Sequence, residues 1–525
     1  MTHSARDGRH GNVPRNAHDG PVRSVIRLDP LAALAGGVAT AVALGLSELL
    51  AGLIAGTTSL VAAIGQAVID RQPPGAKDLF VALFGTNDKL ALEVVVVLAA
   101  LVFGAGLGLL ARRSFAAAAI GFAAFGVLGF AAGLADPAAS PALLAVQVAL
   151  AVGGGLQVLS WATRRTPPRP AEPGRRDFLV RAWTLGVAGL VAGLAGRSLI
   201  DRGRSAPSLP TPIPPAAEVV PPLPIGADLA PTTPDLTPII VPNDRFYRID
   251  TALLTPTVDA ASWTLRVHGL VDREVILTYA DLLAMPLLEQ YVTIACVSNE
   301  VGGRLVGNAK WTGVRLRDIL ELAGVQPGAT QLVGRSVDRW TGGMPTAWVM
   351  DEAREPMVAV QMNDEPLPAA HGFPARLIVP GLYGYVSATK WLAELELTTL
   401  ESFDGYWIPL GWAKEAPILT QSRIDTPTGS VAGGRVAVAG VAWAPDRGVS
   451  RVEVAIDGAW RDAELSTPIS DATWVQWLVR WDAAPGDHVI TVRATDGEGI
   501  VQEEIASPPA PDGARGWHTV RISVS

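Results

Sequence analysis

Five long runs with almost no charge open the chain, at 31–56, 89–111, 115–135, 141–161 and 180–200. Each is about 20 residues or longer, enough for an α-helix to cross the hydrocarbon core of a bilayer, so about five membrane-spanning helices are expected within 30–204. The region 57–88 carries only short apolar stretches, 60–69 and 79–84, and reads as a partly interfacial loop. Ahead of the first run, 1–29 is polar, with Arg6, Arg9, Arg15, Arg23 and Arg27, and reads as a disordered basic tail rather than a cleavable signal. Behind the fifth, 205–242 holds twelve prolines. That composition predicts an extended, semi-rigid tether holding the following domain off the membrane. The pattern then changes twice. Over 243–415, alternating strands such as 263–269 and 377–379 mix with short helical periods at 279–284 and 316–323, an α+β domain. Over 416–525, strands at 435–441, 451–456, 474–481 and 488–494, with turns at Asp457-Gly458 and Asp496-Gly497, have the spacing of an immunoglobulin-like β-sandwich. The expected fold class is multidomain: N-terminal transmembrane α-helices, an α+β domain and a C-terminal β-sandwich.

Composition sharpens this division. The hydrophobic fraction of 49% and mean hydropathy of +0.30 are high for a soluble protein, and the excess lies in the first 200 residues. Residues 1–204 carry 19 Lys and Arg against 12 Asp and Glu, whereas the remainder carries 23 against 38. A basic membrane part and an acidic outer part argue against nucleic acid as the partner. Arg112 and Arg113 follow the second run, and Arg164, Arg165, Arg169, Arg175 and Arg176 follow the fourth, while the loop after the third offers only Asp136. The positive-inside rule then places the tail and both basic loops in the cytoplasm and everything after the fifth helix outside it. That makes a multi-pass cell-membrane protein with an extracytoplasmic outer domain. Arg175-Arg176-Asp177-Phe178-Leu179, entering the fifth run, resembles a twin-arginine export signal; ordinary positive-inside anchoring would place the same arginines.

Cys296 is the only cysteine in 525 residues, which excludes an intrachain disulfide and a zinc or iron–sulfur site of the usual Cys-ligated kind. The β-branched, apolar 291–295 predicts a short buried strand ending where Cys296 begins a polar, Gly-containing loop. Alone, such a cysteine reads as a small buried hydrophobe. Two other segments change that. HGFPARLIVPGLYGYVSATKWL, 371–392, combines Gly and Pro with His371, Arg376 and Lys390, which suits a backbone held close to an anionic ligand. NDRFYRID, 243–250, adds a third. In this order, ahead of a C-terminal β domain, the three segments resemble the molybdopterin-binding domain of the sulfite oxidase family, from about residue 235 to the C-terminus.

The resemblance implies a molybdenum–molybdopterin cofactor whose one protein thiolate is Cys296, with Cys296 and Arg248 at the catalytic centre. It assigns Arg376, Lys390 and the backbone of Ala388 and Thr389 to the anionic pterin, and places Asn243, Phe246, Tyr247, Arg248, Asp338 and His371 at further cofactor positions. In the family the last domain packs on the catalytic one and often mediates dimers, so a homodimer is expected.

Family members that oxidise sulfite follow the cysteine, after one residue, with Gly-Asn-Arg-Arg. Here the text is Val297-Ser298-Asn299-Glu300-Val301, and the segment after Asp338, Arg339-Trp340-Thr341-Gly342-Gly343-Met344, lacks the tyrosine expected beside the metal. An acid near the pocket repels a dianion unless Arg304 or Arg339 offsets it. The chain is therefore more similar to the exported bacterial branch that reduces protein methionine sulfoxide. Oxygen-atom transfer on a small molecule or sulfoxide is the expected reaction, with sulfite oxidation as the alternative and a non-catalytic surface binding protein as the rival of another class. All seven histidines lie outside the five runs, so the membrane part carries no haem and electrons must come from an external haem- or quinone-linked protein. Glu48 and Glu93, at or near membrane depth, read as functional groups or as acids satisfied within the bundle and at the interface.

Overall fold

The computed structural model describes residues 29–72, 83–84, 88–136, 138–165, 175–204, 209 and 211–525. The tail at 1–28, and 73–82, 85–87, 205–208 and 210 of the expected loop and tether, lie outside the described residues. The N-terminal part is helical: α1 (Pro30–Leu53), α2 (Leu60–Ile69), α3 (Asp88–Ala111), α4 (Phe115–Gly133), α5 (Pro141–Arg165) and α6 (Arg175–Arg204). All but α2 are long and apolar enough to cross a membrane. Helix α1 starts where the Asp29 carboxylate accepts the N–H groups of Leu31 at 3.0 Å and Ala32 at 3.2 Å, with Pro30 at the first helical position. It packs against α3, α5 and α6 through small residues. A Cβ on Gly36 would stand 2.0 Å from the Gly104 carbonyl oxygen, and one on Gly196 2.2 Å from that of Glu48. Such backbone-to-backbone packing is how helices associate where lipid supplies no hydrophobic drive.

The expected loop at 57–88 is corrected in part, because Ser59 accepts the Ala62 N–H at 3.1 Å and so caps α2. Glu48 accepts the Val61 N–H at 3.4 Å, and Glu93 pairs with Arg197 of α6 at 2.9 Å. Both membrane acids are thus engaged within the bundle. The twin-arginine-like segment forms the first turns of α6.

The middle domain is built on two sheets. One contains β1 (Thr264–Gly269), β2 (Val275–Thr278), β5 (Gln331–Ser336), β6 (Thr341–Pro345) and β10 (Leu392–Thr398), in the order β2-β1-β10-β5-β6, with β1 parallel to β10. The other is antiparallel, β3 (Leu287–Ala295), β4 (Val306–Arg315), β7 (Met357–Met362) and β8 (Glu365–Pro366), with β9 (Arg376–Ile378) on β7. Helices α7 (Tyr279–Ala284) and α8 (Leu316–Ala323) fall where the periodicity predicts them, α7 behind a reciprocal Thr278/Asp281 cap. Beyond it, β11 (Gln421–Thr426), β13 (Gly434–Trp443), β16 (Glu464–Leu465) and β17 (Val475–Ala483) form a four-stranded sheet. A five-stranded sheet contains β12 (Ser430–Val431), β14 (Val449–Ile456), β15 (Ala459–Asp462), β18 (Gly486–Asp496) and β19 (His518–Val524). The two enclose a core that includes Val454, Trp477, Ile490 and Val492.

The proline-rich stretch does not stand free. Ala217 and Glu218 donate to the Leu287 carbonyl at 2.8 and 3.2 Å, and Glu289 N donates back to Glu218 at 2.8 Å, so this segment lies along β3. Leu236 packs on Ala439 and Leu478, while Ile239 and Val241 enter the middle domain's core. Apolar residues spaced among the prolines give the extended chain something to bury, and its unpaired backbone groups meet a strand edge. Trp474, 0% exposed, donates its indole N–H to the Ile239 carbonyl at 2.8 Å and joins the same core with Val441 and Trp443. Nor is the outer part held off the helices: Leu253 N donates to Gln66 of α2 at 3.0 Å, and Lys89 of α3 pairs with Asp250 at 2.6 Å.

Candidate functional site

Cys296 sits at the end of β3, whose last residues are buried on both faces, and is itself buried. Its N–H donates to the Leu305 carbonyl at 2.9 Å, its carbonyl accepts the Asn299 N–H at 3.0 Å, and Asn299 Oδ1 accepts the Leu305 N–H at 2.7 Å. These bonds close the loop from 296 to 305. The C-terminal domain holds it from outside: Arg423 donates to the Gly303 carbonyl at 2.9 Å, and the His518 ring lies against Gly302, where a Cβ would come within 2.3 Å. Gly302 has φ +76°, so the turn requires glycine twice over.

In front of Cys296 lies a cavity of about 510 Å³, within the range of small-molecule and cofactor pockets. Its wall includes Phe246, Tyr247, Asp338, Arg376, Ala388 and Lys390. A second, more open crevice of about 980 Å³ shares Phe246 and is lined by Asn243, Arg248 and His371, together with Arg197 and Asp201 of α6. The predicted residues therefore divide over two faces that share Phe246. Thr389 lies on neither; it is fully buried and its carbonyl accepts the Leu377 N–H at 2.9 Å. The Ala388 carbonyl is also engaged, accepting from Arg376 at 3.4 Å, so neither carbonyl is offered freely to a ligand.

Arg376 is the most informative group. It is 2% exposed, donates to the His371 carbonyl at 3.1 Å, and lies 5.0 Å over the Trp311 ring. Its buried Nε has no hydrogen-bond partner, and no carboxylate pairs with it among the described residues. Burial lowers it to about 10. A buried guanidinium without a carboxylate is costly, and the two carbonyls and the Trp311 ring leave its Nε able to donate to an anion. A phosphorylated pterin beside a thiol fits this donor set.

The neighbours are tuned by burial and charge. His371 is brought down to about 4, first by burial and then by Lys390 and Arg376, and is neutral at physiological pH. Its Nε2 lies 3.0 Å from the Asn243 carbonyl, which can only accept, so Nε2 carries the proton. Lys390 is lowered by burial to about 8 while Asp250, 3.0 Å away, opposes that. Burial would push Asp250 up, but Lys390, Lys89 and Arg248 together hold it well below the usual carboxylate range. Burial raises Tyr247, near Cys296, and Asp338, which accepts the Trp340 N–H at 3.1 Å.

The segment after Asp338 brings Trp340 to the wall, and Tyr385 comes from α9 (Gly384–Ser387). Trp407, Trp412 and Pro508 to Ala510 complete the rim, the last three from the C-terminal domain. Trp340 and Tyr385 lie within segments already singled out but were not picked as wall residues, and Trp407, Trp412 and Pro508 to Ala510 carry no local signal because long-range packing brings them in. Glu300 lines the cavity, but Arg304 and Arg339 do not, so the expected offset of its charge is absent from the wall.

A family model described as the oxidoreductase molybdopterin binding domain matches residues 252–407. Human mitochondrial sulfite oxidase is 28% identical over 341 residues, covering 54% of this chain and 62% of that protein, so the chain spans about three fifths of that relative's length. The uncharacterized oxidoreductase YuiH of Bacillus subtilis is 37% identical over 149 residues, covering 28% of this chain and 71% of that protein. Among solved structures, the sulfane dehydrogenase SoxCD from Paracoccus pantotrophus aligns with TM-score 0.48 and 23% identity, over 55% of this chain and 83% of that one.

Proposed function

This chain belongs to the family of oxidoreductases with a molybdopterin-binding domain, and on that premise we propose a membrane-anchored molybdenum enzyme that transfers an oxygen atom outside the cytoplasm. The observation that carries the reading is the buried Arg376, its Nε without a hydrogen-bond partner, facing the same cavity as Cys296. When bound, a molybdenum–molybdopterin group supplies a two-electron change coupled to gain or loss of one oxygen atom. The chain's own residues hold it. Cys296 is its protein ligand, a soft thiolate suited to the metal. Arg376 and Lys390 take its anionic end. Phe246, Tyr247, Asp338, Ala388 and, across the shared wall, Asn243, Arg248 and His371 surround it, with Thr389 supporting them from behind. Tyr247, whose phenol burial keeps protonated, is a hydrogen-bond donor close to Cys296.

The cavity favours a neutral substrate with an apolar body. Glu300 repels a dianion, and Trp340, Tyr385, Trp407 and Trp412 offer apolar faces, which supports reduction of a sulfoxide-like molecule ahead of sulfite oxidation. Steady-state assays with sulfite and a one-electron acceptor separate the two. None of the seven histidines lies in α1 to α6, which supports an external haem- or quinone-linked electron partner. Sidedness rests on the basic loops and on the meeting of α2, the start of α3 and the end of α6 with the middle domain at one end of the bundle. The two C-terminal sheets read as an immunoglobulin-like sandwich, the part through which a homodimer would form.

The test is metal and pterin analysis of the full chain expressed with molybdate, wild type beside Cys296→Ser. About one molybdenum per wild-type chain, lost or spectroscopically altered in the variant, is expected. Absence of molybdenum and pterin from the wild type would overturn the reading.

A further inference from the structure

Asp250 joins the membrane bundle to the cavity. Its side chain is 5% exposed and holds three cations: Lys89 Nζ at 2.6 Å on one oxygen, Lys390 Nζ at 3.0 Å and Arg248 Nε at 2.9 Å on the other. Asp250 and Lys390 line the cavity and Arg248 lines the crevice behind it. Lys89 comes from elsewhere, the first turn of α3 in the membrane part, and also donates to the Ala252 carbonyl at 2.8 Å.

A lysine in a helix's first turn faces the positive end of the helix dipole, where a cation is disfavoured. Asp250 does not need it for neutralisation, since Lys390 and Arg248 already supply two charges to its one. Adding Lys89 raises the cations held on Asp250 from two to three, so the positive charge beside the cavity, to which Arg376 also contributes, grows by one. Lys89 takes one oxygen of Asp250, while Lys390 contacts the other and also donates to the Ala370 carbonyl at 3.1 Å.

We propose that Lys89 is a positioning residue of the cofactor site, so that the membrane bundle supplies part of the charge that retains a phosphorylated cofactor and is more than an anchor. The inference rests on the function proposed above. A purely mechanical account, in which the contact only docks the outer part on the bundle, makes a different prediction for Gln66, which holds Leu253 N without adding charge.

The experiment uses the full chain, purified after expression with molybdate, as wild type, Lys89→Met, Lys89→Gln, Lys89→Arg and Gln66→Ala. Molybdenum and pterin per chain are measured before and after dialysis at low and high salt. Lys89→Met and Lys89→Gln are expected to lose about fivefold more cofactor than wild type, most at high salt where the remaining charges are screened. Lys89→Gln keeps a donor without the charge and serves should Lys89→Met fail to fold. Lys89→Arg and Gln66→Ala are expected to stay within about twofold of wild type. Wild-type retention in both neutral variants overturns this inference alone, as does equal loss in Gln66→Ala. A wild-type chain holding neither molybdenum nor pterin overturns the proposed function and this inference with it.

Discussion

His371 shows what burial does to a single group. Its ring in the folded chain gives up its proton near pH 4, far below the ordinary value of 6.5, because burial and two cations oppose the charge. Between those values the unfolded chain binds more protons than the folded one, so stability falls as pH drops from 6.5 to 4 and the cost is complete below 4. Its size is on the order of 3 kcal/mol. In His371→Gln, which keeps a donor for the Asn243 carbonyl, that part of the acid slope is expected to vanish. Thermal denaturation of cofactor-free chain from pH 4 to 7 checks this, and an unchanged slope would remove His371 as the cause. Cys296 stood out as the one cysteine, and Arg376 and Lys390, which share its cavity wall, as charges among dense Gly and Pro; His371, singled out with them, lines the second crevice instead. Asp250 was not legible, although it ended the quoted 243–250 segment, because a carboxylate carries no mark of the two lysines, Lys89 and Lys390, that reach it from distant parts of the chain.

Helices and strands with a clear period were legible as elements. Helices α7 and α8 have the ends that period predicted, and β13, β14, β17 and β18 overlap the expected strands. Helix α2 was missed because ten residues are too few to span, and its start is fixed by the Ser59 cap, with Glu48 of α1 accepting the Val61 N–H. The glycines of α1, α3 and α6 carry no charge or period that marks them, yet they set how closely the helices approach. Gly196→Val would drive its side chain into the backbone of α1 at Glu48, and overpacking of this kind costs about 1–3 kcal/mol. Its unfolding midpoint in detergent is expected to fall by several degrees, roughly as that cost implies. Gly106→Val, at a position with open space around the added Cβ, should leave the midpoint nearly unchanged. Equal effects would mean that helix propensity, not packing, governs the bundle.

Across the whole molecule, the order of parts along the chain was readable but their seams were not. No local pattern relates Ile239 to Trp474, yet the indole joins the proline-rich stretch, the middle domain and the C-terminal sheets in one core. Truncating a buried tryptophan costs about 3–5 kcal/mol. Trp474→Ala is therefore expected to lower the thermal transition of the outer part as one event, with Cys296 thiol reactivity and the β-sheet circular dichroism signal shifting together. A Cys296 signal left in place while the sheet signal moved would show two independent domains.

The clamp of His518 on Gly302 also sets a schedule. Cys296 leaves the ribosome about 220 residues before the His518 ring that lies against its loop, and about 130 before Arg423, the other C-terminal contact on that loop. The C-terminal domain that presses on the cysteine loop is thus the last part of the chain to be made, so its contacts on that loop can form only after synthesis is nearly complete.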